Sequence, residues 1–69
     1  REERTMEKNE LIRRLEQAPG KTFEEDGYFY GYALIKRVTG EETTAIVRKP
    51  VGAQYRKYEV LYYTPEIKL

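Results

Sequence analysis

The N-terminal part of the chain carries apolar residues at helical spacing. Four of them fall on one stripe of a helix: Leu11, Ile12, Leu15 and Ala18. Thr5 has the side chain of an N-cap residue, and Pro19-Gly20 stops a helix. The pattern therefore predicts a helix over about residues 5–18, with Arg13 and Arg14 on its polar side.

The C-terminal part of the chain is rich in β-branched and aromatic residues, in runs that short turn-forming segments separate. These runs predict three strands, at 28–38, 43–49 and 55–63. Because short loops join neighbouring antiparallel strands, the strands are expected to form a meander over 28–64. The polar segment 19–27 is expected to be a linker. Residues 65–69 are expected to be a tail or a short edge strand, since Pro65 disfavours a central strand.

Together these elements predict one α+β domain over residues 1–69, an N-terminal helix packed on a three-stranded antiparallel sheet. One helix covers one face of such a sheet. A face with Phe29, Ala33 and Ile35 suits the helix, since Gly31 among them permits close approach. The opposite face then holds a row of exposed tyrosines: Tyr28, Tyr30 and Tyr32. The alternative is a sheet that curls into an SH3-like barrel, with the tyrosines at the edges of the core.

The composition indicates a small domain without covalent cross-links. The chain has 69 residues, and its 13 Lys and Arg nearly balance its 12 Asp and Glu. A domain of this size buries about 60% of the surface of its unfolded chain, so its stability is marginal. The sequence has no cysteine and no apolar run near the roughly 20 residues that span a bilayer. Its N-terminus is charged rather than apolar. We therefore expect a cytoplasmic protein with no membrane partner.

The residue types disfavour catalysis. The sequence contains no His, Cys or Ser, so the commonest general base and the two commonest nucleophiles are missing. Acidic clusters at 24–26 and 41–42 fall in predicted turns, where carboxylates are normally solvated, and they lack the pattern of a calcium loop. The glycines lack the spacing of phosphate-binding loops. We expect no enzymatic activity, no metal site and no cofactor.

The aromatic residues point instead to binding. Seven tyrosines are present, and tyrosine is common both in strands and in protein interfaces. We expect a non-catalytic interaction or regulatory module that docks on a larger protein through a tyrosine-rich sheet surface. The expected contact residues are Tyr28, Tyr30, Tyr32, Lys36, Arg48, Arg56, Tyr58 and Tyr62. On this hypothesis Tyr30→Ala or Tyr58→Ala keeps the fold and loses the partner, whereas a structural role makes both variants unfold.

The alternative function is binding of single-stranded nucleic acid or RNA. Each predicted strand carries or ends in a dibasic pair, at 36–37, 48–49 and 56–57. Stacking rings with nearby cations bind single strands, and this reading uses Lys36, Arg48, Arg56 and Lys57. Residues 28–69 hold seven Lys and Arg against four Glu, a small excess beside that of dedicated nucleic-acid binders. Protein docking is therefore the first hypothesis. A homodimer is a further option for so small a core.

Overall fold

The computed structural model describes residues 6–52 and 58–68, which form one helix and a four-stranded antiparallel sheet. Helix α1 spans Lys8–Gln17, and a 3-10 turn follows at Pro19–Lys21. The strands are β1 (Phe23–Glu25), β2 (Tyr28–Lys36), β3 (Glu42–Pro50) and β4 (Glu59–Tyr63). The α+β class is confirmed. The strand count of three is wrong, because the segment predicted as a linker contains β1.

A tight turn at Asp26-Gly27 joins β1 to β2 and explains the additional strand. Both residues have positive φ, 54° and 82°, and Glu25 pairs with Tyr28 across the turn. A two-residue hairpin loop with positive φ at both positions matches the right-handed twist of the strands, and Asp-Gly is one of its preferred sequences. The turn therefore folds Phe23 back beside Tyr30.

The sheet is open, with the strand order β1-β2-β3-β4. The alternative of an SH3-like barrel is therefore wrong, since β1 and β4 lie at opposite edges. Strand β4 starts at Glu59, and residues 55–57 of the predicted third strand lie outside the described residues, as does the predicted N-cap Thr5. Beyond β4, the Thr64 N–H donates to the Thr44 carbonyl at 2.8 Å, which ties the start of the tail to β3.

The helix packs on the tyrosine side of β2. Its two buried leucines, Leu11 and Leu15, form the core with Tyr30 and Ile46. We call this side of the sheet the helix face. The expectation that the helix covers Phe29, Ala33 and Ile35 is thus wrong. The tyrosine side offers more apolar area, and a tyrosine at the edge of a core can bury its ring while its hydroxyl finds a polar partner.

Arg14 fastens the helix to β1. Its guanidinium carbon lies 4.3 Å from the centre of the Phe23 ring, and its Nη1 forms an ion pair with Glu25. Both side chains of the ion pair are partly exposed, so the ion pair alone adds little to the stability of the fold. Most of the stabilisation by Arg14 comes from its combined contact with the ring and the carboxylate. The helical pattern placed Arg14 on the solvent side. Its long side chain reaches over the edge of the helix instead.

Candidate functional site

Tyr30 belongs to the core and offers no exposed contact area. Its residual exposure is 6%. Its ring stacks on that of Phe23, with centroids 4.9 Å apart and planes 14° from parallel. Leu11 and Leu15 of the helix complete its surroundings. The structure thus gives Tyr30 the structural role that the sequence left open beside the binding role.

Three further tyrosines of the expected contact surface also pack on the helix face: Tyr28, Tyr32 and Tyr62. The guanidinium carbon of Arg48 lies 4.0 Å from the centre of the Tyr28 ring. The Tyr62 hydroxyl donates a hydrogen bond of 3.0 Å to the Met6 carbonyl. These rings are half-buried, so the row of exposed tyrosines expected along β2 is not formed.

The Tyr32 hydroxyl is buried and forms no hydrogen bond within the described part of the chain. Burial raises the pKa of Tyr32, and the charges of Glu16 and Glu66 raise it further. Glu16 acts here through its charge, since no hydrogen bond joins it to the hydroxyl. An unpartnered buried hydroxyl costs stability, so this position is a weak point of the helix face.

The expected cations do not converge on one surface. Arg48 lies on the helix face, where its Nε donates to Glu59 Oε1 at 3.0 Å. Burial lowers the pKa of Arg48. Tyr30 and Glu59 favour its charged form more strongly, so the pKa of Arg48 is raised overall. Lys36 is exposed at the end of β2, also on the helix side by strand alternation. Arg56 and Lys57 lie outside the described residues.

Among the residues that the structure describes, no helix lies on the other side of the sheet, and we call this side the helix-free face. Register places Phe29 and Gly31 of β2 beside Lys49 and Val47 of β3, and Val47 beside Val60 of β4. Large rings are exposed on this face: Phe29 at 41%, Tyr63 at 43% and Tyr58 at 53%. Among the expected contact residues, Tyr58 is the one that the structure places here.

A shift of register in β4 divides its side chains between the two faces. Ile46 pairs with Tyr62 and Val47 with Val60, so one residue of β4, Leu61, is extra. Such a β-bulge breaks the strict alternation of a strand. Leu61 and Tyr62 consequently both pack against the core, while Tyr63 pairs with Ala45 on the helix-free face. Tyr58 and Tyr62, both expected as contact residues, therefore lie on opposite faces of the sheet.

A groove of about 440 Å³ crosses the helix-free face. Gly31 and Val47 lie at its base, and Phe29, Tyr58 and Lys49 also line it. Gly31 affects the shape of the groove, because a Cβ at this position would lie only 3.2 Å from Thr22 Cγ2. A larger residue would push Thr22 aside or fill the base of the groove. The groove lies within the usual size range of ligand sites in proteins.

Residues 6–52 and 58–68 show no cluster of three acidic side chains that could hold a metal ion. No helix in these ranges is long and apolar enough to cross a membrane. A second groove, of about 390 Å³, lies on the helix side near the end of the sheet, between Leu34 and the tail. Glu41, Glu42 and Lys68 line it, and its mixed charge gives it no clear ligand preference.

Phe29, Lys49 and Tyr63 were not predicted from the sequence as contact residues. Strand alternation correctly placed Phe29 on the face opposite the tyrosines of β2. The helix, however, was expected on the Phe29 face and lies on the tyrosine face. The Asp26-Gly27 turn was the signal that could have corrected this. A hairpin there brings Phe23 beside Tyr30 and so makes the tyrosine side the more apolar one.

Comparisons with protein-family models, with curated proteins and with solved structures found no significant match for this chain.

Proposed function

We propose that this protein is a non-catalytic interaction module that docks on a larger protein through its helix-free face. The observation that carries the proposal is the exposure of Phe29, Tyr58 and Tyr63 on the side of the sheet that no helix covers. An antiparallel sheet with one solvated face normally places polar residues on that face. Here the solvated face is largely apolar, which is typical of a surface that a partner covers.

The construction of the face supports protein docking in a second way. Val47 and Val60 lie between the rings and are only half-exposed, so the patch is continuous across β2, β3 and β4. Aromatic anchors that surround a recessed centre are common among residues that dominate binding energy. Phe29 and Tyr63 stand on strands and Tyr58 directly precedes β4, so the sheet holds the rings in place and reduces the entropy lost on binding.

Single-stranded nucleic-acid binding stays the second prediction, and the arrangement of cations gives it less support. Of the cations assigned to that function, Arg48 is paired with Glu59 on the helix face. Lys36 also lies on that side. A titration of mixed single-stranded DNA and RNA by fluorescence anisotropy, at two salt concentrations, tests this function. Nucleic-acid binding requires an affinity that falls steeply with salt.

The docking proposal is tested by affinity capture from the source cell with matched variants. Phe29→Ala removes a large exposed ring from the helix-free face, and Leu34→Ala removes a large exposed side chain from the same strand on the helix side. Both side chains are exposed enough for the fold to tolerate the change. We expect Phe29→Ala to reduce the amount of captured partner about tenfold, and Leu34→Ala to leave it unchanged.

Capture that is equal for the wild type and both variants would contradict docking through this face. So would a loss confined to Leu34→Ala, which would move the binding surface to the helix side. Circular dichroism of each variant shows whether a loss of partner reflects a loss of fold.

A further inference from the structure

We infer that the groove on the helix-free face takes an acidic segment of the partner that inserts one bulky apolar side chain. This inference rests on the proposed function, because it names the chemistry of the protein that docks there. Two properties of the groove carry it. Its charged lining residues are cations, and the rest of its lining is largely apolar, with Gly31 and Val47 next to the rings of Phe29 and Tyr58.

The charge of the groove selects an acidic partner. Lys49 lines it from the helix-free face, Arg48 borders it although its side chain lies on the helix face, and no carboxylate lines it. Arg48 is already neutralised by Glu59 at 3.0 Å, whereas Lys49 has no ion pair with any residue that the structure describes. Lys49 is therefore the cation that a partner carboxylate would meet. A charge at the rim of an apolar site steers association and excludes partners of like charge.

The same sign of charge continues along the face. Arg37 lies at the far end of β2, with its guanidinium carbon 4.8 Å from the centre of the Tyr63 ring. Among the described strand residues of this face, Glu24 is the carboxylate, and it stands at the β1 edge without lining the groove. A segment crossing the sheet from Lys49 to Tyr63 would thus meet positive charge at both ends.

The shape of the groove selects the inserted side chain. Gly31 carries no side chain between Phe29 and Ala33, the Thr22 methyl group borders the space above it, and Val47 on β3 lines the same groove. The rings of Phe29 and Tyr58 come from different parts of the chain and both border it. A phenylalanine or leucine side chain of the partner would contact these rings and Val47 while its neighbours reach Lys49.

The test is a fluorescence-anisotropy titration with three labelled peptides. The first is a short glutamate-rich peptide with one central phenylalanine. The second replaces its glutamates by lysines, and the third replaces its phenylalanine by alanine. The proteins are the wild type, Lys49→Glu, and Lys36→Glu as the matched control. Both lysines are exposed, Lys36 at the last residue of β2 and Lys49 at the residue before the last of β3, but Lys36 lies on the helix side.

We expect the first peptide to bind the wild type, and the lysine and alanine peptides to bind at least about tenfold more weakly. Lys49→Glu should weaken the first peptide about tenfold, since it turns an attraction into a repulsion, while Lys36→Glu leaves it unchanged. Equal binding of the acidic and basic peptides overturns the inference. So does an equal loss in the Lys49 and Lys36 variants.

The remaining outcomes separate this inference from the proposed function. If no peptide binds while partner capture still depends on Phe29, the inference fails and the docking function stands. If Phe29→Ala also leaves the amount of captured partner unchanged, both the inference and the proposed function are wrong. A labelled oligothymidylate that binds better than the acidic peptide, and loses affinity in Lys49→Glu, overturns the inference in favour of nucleic acid. Concentration-dependent self-association that Phe29→Ala abolishes overturns it in favour of a second copy of this chain.

Discussion

The two faces of the sheet differ although neighbouring residues build them. Tyr30 and Phe29 are adjacent in β2, yet Tyr30 is 6% exposed beneath the helix and Phe29 is 41% exposed on the opposite side. The helix face is closed by two leucines of α1, by the stacked ring of Phe23 and by ion pairs at its margin. The helix-free face has comparable rings, and among the described residues no helix covers them, although the Arg37 guanidinium lies over the Tyr63 ring.

This difference shows that aromatic content does not by itself mark a binding surface. On the helix face the rings complete a core whose buried aliphatic side chains are Leu11, Leu15 and Ile46, and the Tyr62 hydroxyl reaches a polar partner at its edge. On the helix-free face the rings remain in water, which is costly unless another surface covers them. The assignment of function therefore depends on which face the helix occupies.

The largest difference in stability between the two faces is expected when each of the two adjacent rings is truncated in turn. Tyr30→Ala removes the ring at the centre of the core and should destabilise the fold by about 3–5 kcal/mol, enough to unfold a domain this small. Phe29→Ala should change the free energy of unfolding by less than about 1 kcal/mol. Urea denaturation followed by circular dichroism measures both. Similar losses for the two variants would mean that the faces are energetically alike.

A smaller effect is expected at the junction of helix and β1. Arg14→Ala removes both the contact with the Phe23 ring and the ion pair with Glu25, and should cost about 1–2 kcal/mol. Arg13→Ala is the matched control, because Arg13 is exposed and has no ion pair within the described residues. Its substitution should be nearly neutral. Equal effects of the two variants would show that Arg14 does not fasten the helix.

The smallest change in stability expected at neutral pH is a gain rather than a loss. Tyr32→Phe removes a buried hydroxyl that has no hydrogen-bond partner among the described residues, so it should stabilise the fold by about 0.5–1 kcal/mol. Thermal denaturation of the variant and the wild type measures the change. Destabilisation by a similar amount would mean that the hydroxyl is satisfied in solution.

The same substitution tests how the stability of the fold depends on pH. The pKa of Tyr32 is raised by burial, so the folded state holds the phenolic proton more tightly than the unfolded state does. Stability from this group is complete below the unfolded pKa of about 10 and is lost as the pH rises through the folded value. Above about pH 10 the wild type should therefore lose stability more steeply than Tyr32→Phe. Parallel curves in alkaline denaturation would contradict the raised pKa.

The elements of the fold were largely predictable from local patterns. The apolar stripe around Leu11 and Leu15 predicted α1, and β-branched and aromatic runs predicted β2 and β3 with ends within about two residues of those observed. Strand β1 was missed because three residues are too few for a periodic signal. The Asp26-Gly27 pair was recognised as a turn, but the strand before it was not.

The position of the site was less predictable, for two physical reasons. Strand alternation divides side chains into two sets but does not say which set the helix covers, and that choice depends on the extra contact of Phe23 with Tyr30. The bulge at Leu61 then exchanges the faces of Tyr62 and Tyr63 relative to simple alternation. Tyr58 was the expected contact residue that lies on the helix-free face.

The most direct test of the binding surface is photo-crosslinking from each face in turn. A benzophenone side chain replaces Phe29 in one protein and Leu34 in another, since both positions are on β2, exposed and on opposite faces. After irradiation in an extract of the source cell, we expect a protein adduct of defined mass from position 29 and none from position 34. An adduct from position 34 alone, or equal adducts from both, would contradict the assignment of function to the helix-free face.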